Sequence, residues 1–341
     1  MKRLVKNLAV SGGLSLLAVL AAPVQAESVK MTIQTSSLPN DFDTPYLEQW
    51  AKDVNVMTGG QVDIEIVPID AVVRYDTALD AVKNGILQGQ IASPGYWSGS
   101  DPAFGLVGNT VGAWSDAVQA MDYIYAGGGL ELMRELYAPY GQYVVGVSCP
   151  GVEAFVSNRK LDGVADLKGL KLRAPEGMVS AVFAEAGAAP VSLPLSEVYV
   201  AIDKGVIDAS DVAGFATNHA EGFHDVARYP VYPGFHSTTL LALTVNQKVW
   251  DALEPGDQKI LETSYKALSF SIRAGLDKAD REAVAAANAN KDITVVDWPP
   301  EERARFRNIA QKVWADFAGQ SPNAKKVYDS ITTHLKANGL M

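Results

Sequence analysis

The stretch DLKGLKLRAPEGMVSAVFAEAGAAPVSLPLSEVYVAIDKGVIDASD, Asp166–Asp211, decides how the chain is read. It opens on a short turn and a strand in which Leu170 and Leu172 alternate with Lys171 and Arg173. A helix follows through GMVSAVFAEAGA and stops at Gly187, a residue that ends helices at little steric cost. APVSLPL is extended, SEVYVAIDKG reads as a helix with Ser196 as N-cap, and VIDAS reads as a short strand. Strand, helix, strand, helix, strand is the signature of an α/β fold with a largely parallel sheet. Arg173 closes the first strand, just ahead of Ala174-Pro175. A lone arginine there is either paired on the surface or a guanidinium fork aimed at a ligand.

The same alternation runs along the rest of the chain. VKMTIQTS and QVDIEIVPI alternate as strands, and TPYLEQWAKDVNVMTGG between them has helical spacing at Tyr46, Trp50, Val54 and Met57. RYDTALDAVKNGILQ reads as a helix, and GQIASPGYW as a strand entering a loop. YVVGVSCP, VEAFVSN and DITVVDW read as strands. TLLALTVNQKVWDAL reads as a strand and then a helix. A long helix is expected over about 257–289, and PPEERARFRNIAQKVWADFAG is a further amphipathic helix.

The N-terminus carries an export signal. Lys2, Arg3 and Lys6 precede an apolar run from Leu8 to Ala22, and Val24-Gln25-Ala26 gives a small-x-small cleavage site. Residues 1–26 are therefore expected to be a cleaved Sec signal peptide, which places the protein in the periplasm. No later run reaches the ~18 apolar residues of a membrane span. The chain carries −10, and loss of three basic residues with the signal takes it to −13, a balance unsuited to nucleic acid or anionic lipid. The single Cys149 cannot form an internal disulfide. Some 315 residues remain after 26 of 341 are removed, more than one core usually organises. Two α/β lobes are expected: 27–148 with about 238–262, and 149–237 with about 290–341. A cleft between them is the default ligand site.

The quoted stretch resembles the solute-binding proteins of tripartite ATP-independent periplasmic (TRAP) transporters. The likeness rests on the strand ending in Arg173, on Gly187-Ala188, and on Pro190, Pro194, Glu197, Tyr199, Ala201, Gly205 and Asp208 in order. SPGYWSGSDPAFGLVGNTVGAW and VYPGFHSTT are similar to the branch that binds 2-oxo and 2-hydroxy monocarboxylates. The resemblance implies a periplasmic-binding-protein-like fold with the long helix spanning both lobes. It implies a receptor that closes on a solute by hinge motion and delivers it to TRAP membrane permease subunits. A sensor subunit would share the fold.

By that resemblance Arg173 grips the ligand carboxylate, and Tyr96, Trp97, Phe104, Val212, Phe235 and His236 are candidate cleft residues. The branch also places a metal cation beside the ligand. Here Glu153 stands for its glutamine, Asp211 for its glutamate and Val212 for its tryptophan. Glu153, Asp211 and Arg173 sum to −1, and a cleft that expels water should approach neutrality. A monocarboxylate with a divalent cation on Glu153 and Asp211 balances the site, as calcium (or, less completely, sodium) on hard oxygen ligands. A small amine such as ethanolamine, held by the two carboxylates without metal and by cation–π contacts from Tyr96, Trp97 and Phe235, balances it as well. Both completions stay open, as does the choice between monomer and weak homodimer.

An enzyme is not expected. GVSCPG lacks the glycine of a nucleophile elbow. His219 and His224 with Glu221 lack the spacing and third ligand of a zinc motif. AGGGLELMREL lacks the strand-then-GxGxxG context of a nucleotide site and reads as a glycine-rich helix entry.

Overall fold

The computed structural model describes residues 28–341 apart from Leu38, Asn40, Glu176 and Ser237, so the expected signal peptide lies outside the described residues. The first half runs β1 (Val29–Thr35), α1 (Thr44–Met57), β2 (Val62–Val67), α2 (Ala78–Lys83), β3 (Gly89–Ala92), α3 (Pro102–Gly108), α4 (Ala117–Ala126), α5 (Gly129–Tyr137), β4 (Gln142–Ser148). The chain then passes through β5 (Ala154–Ser157), β6 (Lys171–Arg173), α6 (Met178–Glu185), β7 (Ala189–Val191), α7 (Val198–Asp203), β8 (Ala209–Ala213), α8 (Phe215–Ala220) and α9 (Phe223–Val226). It closes with β9 (Leu241–Asn246), α10 (Gln247–Asp251), α11 (Pro255–Ala289), α12 (Pro300–Ala318) and α13 (Pro322–Ala337).

Two sheets result, with strand orders β2-β1-β3-β9-β4 and β5-β8-β6-β7. In the first, β1 pairs parallel with β2 and β3, while β9 runs antiparallel between β3 and β4. In the second, β6 pairs parallel with β7 and β8, and β5 lies antiparallel on β8. Parallel neighbours need crossover helices, which α1, α6 and α7 supply. Strand β1 buries Met31 and Ile33, and α1 buries Leu47, Trp50, Ala51 and Val54 against the long helix.

Helix α11 ties the parts together. It packs on α1 and β4 beside the first sheet and on α8 beside the second. Tyr265 meets Trp50 edge-on at 5.5 Å, and two turns beyond Arg273 the Asp280 carboxylate accepts from the Ala216 amide of α8 at 2.8 Å.

Three local expectations need correction. DITVVDW forms no named strand: Val296 makes one bridge to Val231. The neighbouring Pro230 and Pro233 have no N–H to donate, so the ladder stops there. Ser196 caps no helix; it lies in a single turn, Leu195–Glu197, and α7 begins after it without a side-chain cap. The C-terminal stretch does not belong to the second lobe alone. Helix α12 packs on α6 and on α3, and α13 packs on α3 and α5 beside the first sheet.

The segment bearing Phe235 is wedged between the two halves. Phe235 stacks on Trp298 at 3.8 Å and 10°, and Trp298 donates to the Leu161 carbonyl at 2.9 Å. Next to it, a Cβ on Gly234 would stand 1.7 Å from the Glu153 carbonyl oxygen. Only a residue without a side chain fits against that backbone. Gly234→Ala is predicted to lower stability by about 1–3 kcal/mol, read by thermal denaturation. An unchanged melting midpoint would contradict this close approach.

Candidate functional site

Parallel strands deliver their carboxyl ends to one edge of a sheet, and in open α/β sheets ligands bind there. In the second sheet those ends carry Arg173 on β6 and Asp211, Val212 and Ala213 on β8, with Glu153 just before the antiparallel β5. In the first sheet the residues after β1 are Ser36 and Ser37, and the residue after β3 is Ser93. The two edges enclose a cleft of about 210 Å³, lined among others by Ser37, Ser93, Tyr96, Glu153, Val212 and Thr239, with Leu276 and Asp280 of α11 at its wall.

Arg173 is fixed from two sides. Its Nε donates to the Leu193 carbonyl at 3.2 Å and its Nη1 to the Asp211 carbonyl at 2.9 Å. Among the described residues no carboxylate pairs with it, and Nη2 takes no protein acceptor. The guanidinium is thus oriented by main-chain carbonyls, with no salt bridge to a carboxylate among the described residues.

Beside it stands an acidic pair with a histidine. Among the described residues one group of carboxylate and imidazole side chains can hold a metal ion: Glu153, Asp211 and His236, whose ligand atoms lie within 4.8 Å of one another. Asp211 is 2 % exposed. Its Oδ1 lies 2.8 Å from His236 Nε2, and Glu153 Oε2 lies 3.9 Å from the same nitrogen. Thr239 donates to Glu153 Oε1 at 2.8 Å and holds that carboxylate toward the cleft. Burial raises the Asp211 pKa, opposed by a hydrogen bond to Glu153 and by the charge of Arg173. With both carboxyls ionised, Glu153, Asp211 and Arg173 sum to −1, so a cation is the charge that would balance a carboxylate ligand here. Burial lowers the His236 pKa to about 4, against the pull of Glu153, and the imidazole is neutral at pH 7.

Not every sequence candidate lines this cleft: Glu153 does, whereas Arg173, Asp211 and His236 adjoin Glu153 and Val212 without being among the lining residues. Tyr96 lines it and meets Tyr75 edge-on at 4.9 Å. It is 41 % exposed, yet desolvation around its hydroxyl raises its pKa, an effect that the charge of Arg173 opposes. Val212 lines the cleft too. Trp97 and Phe104 do not: they pack edge-on against each other and against Tyr137, inside the core behind the wall. Phe235 is likewise a core ring, stacked on Trp298 and lying 5.1 Å from the His236 ring, so it positions that histidine from behind. The sequence reading missed Ser37, Ser93, Thr239 and the acidic pair Asp41 and Glu221 at the cleft wall. The strand-end rule would have found the two serines, since Ser93 follows β3 directly and Ser37 lies two residues after β1. The Nδ1 atoms of His219 and His224 share a hydrogen bond at 3.0 Å.

The model for bacterial extracellular solute-binding proteins, family 7, matches residues 35–320. The chain belongs to this family. Among solved structures, a TRAP periplasmic solute-binding protein from Rhodobacter sphaeroides, in an apo open form, is 47 % identical with a TM-score of 0.80, covering 92 % of this chain and 99 % of that one. One from Pseudoalteromonas atlantica, with bound sodium and pyruvate, is 28 % identical with a TM-score of 0.79, covering 92 % of this chain and 95 % of that one. One from Colwellia psychrerythraea, with bound calcium and pyruvate, is 26 % identical with a TM-score of 0.80, covering 92 % and 96 %. Proteins of this family are periplasmic receptors of TRAP transport, not enzymes, and they hand small solutes to membrane permeases. Among the described residues no helix is long and apolar enough to cross a membrane.

The His219–His224 pair generates a pH prediction. Burial, then the charge of His219, lowers the His224 pKa to about 4 from an ordinary 6.5. A histidine depressed in the folded state contributes stability that is present above its unfolded pKa and lost as pH falls through the folded value. Between pH 6.5 and 4 the protein should therefore lose stability relative to His224→Gln. Parallel melting curves of the two proteins over that window would refute the assignment.

Proposed function

We propose that this receptor captures a small monocarboxylate, a 2-oxo or 2-hydroxy acid, together with a cation held on Glu153 and Asp211. The observation that supports it is the arrangement of charge. Arg173 presents an oriented guanidinium with no carboxylate partner among the described residues, and the acidic pair stands beside it. A planar guanidinium suits a carboxylate, and two carboxyl oxygens suit a cation. The solved relatives with pyruvate carry sodium or calcium.

Charge balance accommodates either ion. Calcium, a monocarboxylate, two ionised carboxylates and Arg173 sum to zero. Sodium reaches zero when one of the two carboxyls is protonated. The amine reading loses support because two of the three aromatic rings that would flank an ammonium group, Trp97 and Phe235, are buried in the core. Closure brings the first-lobe wall, with Tyr96, onto a ligand seated at Arg173, and binding energy then stabilises the closed form.

Thermal melting with pyruvate and lactate, with and without calcium and a chelator, tests the reading. A rise in melting midpoint that requires both acid and cation is expected. Arg173→Ala should abolish that rise, consistent with loss of ~2–3 kcal/mol or more from a charged hydrogen-bond partner. A chelator-insensitive shift with ethanolamine and none with the acids would overturn it.

A further inference from the structure

We infer that His236 Nε2 is a third ligand to the bound cation, and that this nitrogen turns the site toward a divalent first-row transition ion, from manganese to zinc, in preference to calcium or sodium. The inference rests on the cation-assisted reading above and names the cation class.

Three observations carry it. The first is distance. His236 Nε2 stands 2.8 Å from Asp211 Oδ1 and 3.9 Å from Glu153 Oε2. Ligand atoms about 2.1 Å from a common ion lie roughly 3 Å apart at right angles and up to roughly 4 Å apart when nearly opposed. Both separations from the nitrogen fall in that range and all three ligand atoms lie within 4.8 Å of one another, so the three can meet one ion with little rearrangement. The second is chemistry. Sodium and calcium are hard ions that take oxygen, whereas imidazole nitrogen suits the later divalent metals. One nitrogen and two carboxylates form a mixed set in which oxygen-only ions waste the third position. The third is rigidity. The His236 side chain is fully buried, its carbonyl accepts from the Gly112 amide at 2.6 Å, and its ring is enclosed by Phe155, Phe183 and Phe235 at centroid distances of 5.5, 5.5 and 5.1 Å. It cannot swing away to leave an all-oxygen site.

The same enclosure ties the metal to the solute. Ligation through Nε2 leaves the ring proton on Nδ1, and that buried atom has no hydrogen-bond partner among the described residues. A ligating histidine usually gains basicity from such a partner. Without it the three protein ligands hold a free ion weakly. A 2-oxo acid supplies two further oxygens, its carboxylate and its keto group, and Arg173 steadies the carboxylate. The captured species is then a metal chelate of the acid, with ion and solute bound together.

Pulsed electron paramagnetic resonance of the chelator-stripped full mature chain, loaded with manganese(II) alone and with manganese(II) plus pyruvate, reads the nitrogen directly. The expected result is a nitrogen-14 coupling to the bound ion in wild type that disappears in His236→Gln. Competition dialysis in the presence of pyruvate should show zinc(II) binding at least tenfold tighter than calcium. Manganese bound without nitrogen coupling, no manganese bound in either sample, or calcium bound as tightly as zinc would overturn the inference. The spectrum of wild type decides the point even if the variant fails to fold. Metal-independent binding of pyruvate would instead remove the cation-assisted reading beneath it, and the sample with manganese alone tells the two failures apart.

Discussion

The site depends on how Arg173 is held. Two main-chain carbonyls, those of Leu193 and Asp211, take its Nε and Nη1 hydrogens and leave the charge uncompensated by any carboxylate among the described residues. A salt bridge in this place would have fixed the guanidinium equally well but consumed the attraction that a ligand carboxylate needs. Neutral carbonyls orient without neutralising. The arrangement is possible because β6 lies between β7 and β8: Arg173 pairs with Val191 at the end of β7 and with Ser210 in β8, which brings the Leu193 and Asp211 carbonyls within its reach.

That geometry also explains why two carboxyl groups are tolerated in a half-enclosed cleft. Glu153 and Asp211 arrive from adjacent antiparallel strands, β5 and β8, and their side chains meet in front of His236. Burial disfavours the ionised Asp211, while the charge of Arg173 favours it and the Thr239 hydroxyl donates to Glu153. In the proposed complex a divalent cation and a ligand carboxylate bring the sum of charges to zero. Helix α11 supplies the scaffold: it contacts elements beside both sheets, so motion of one sheet edge toward the other is motion about a common spine.

Much of this was legible in the sequence. Alternation of strands and helices announced the α/β fold, and one 46-residue stretch, Asp166–Asp211, carried both Arg173 and Asp211. Glu153 and His236 entered the reading through the resemblance, as the residue standing for the branch's glutamine and as part of VYPGFHSTT. Rings were harder to place. Trp97 and Phe104 flank a cleft-facing loop, but their direction is set by Tyr137, and Phe235 is turned inward by Trp298, more than sixty residues along in sequence but stacked against it in space. No local pattern states which side of a loop packs. The single-bridge DITVVDW segment failed for a related reason: its alternation is strand-like, but the partner it meets is interrupted by prolines.

The most direct test of the account is a crystal structure of the receptor grown with pyruvate and a divalent cation, with anomalous scattering to place the ion. The account predicts the pyruvate carboxylate within hydrogen-bonding distance of Arg173 and the ion in contact with Glu153 and Asp211, under a closed cleft that brings Tyr96 to the ligand. A carboxylate bound away from Arg173, or an ion located elsewhere than on the acidic pair, would contradict it.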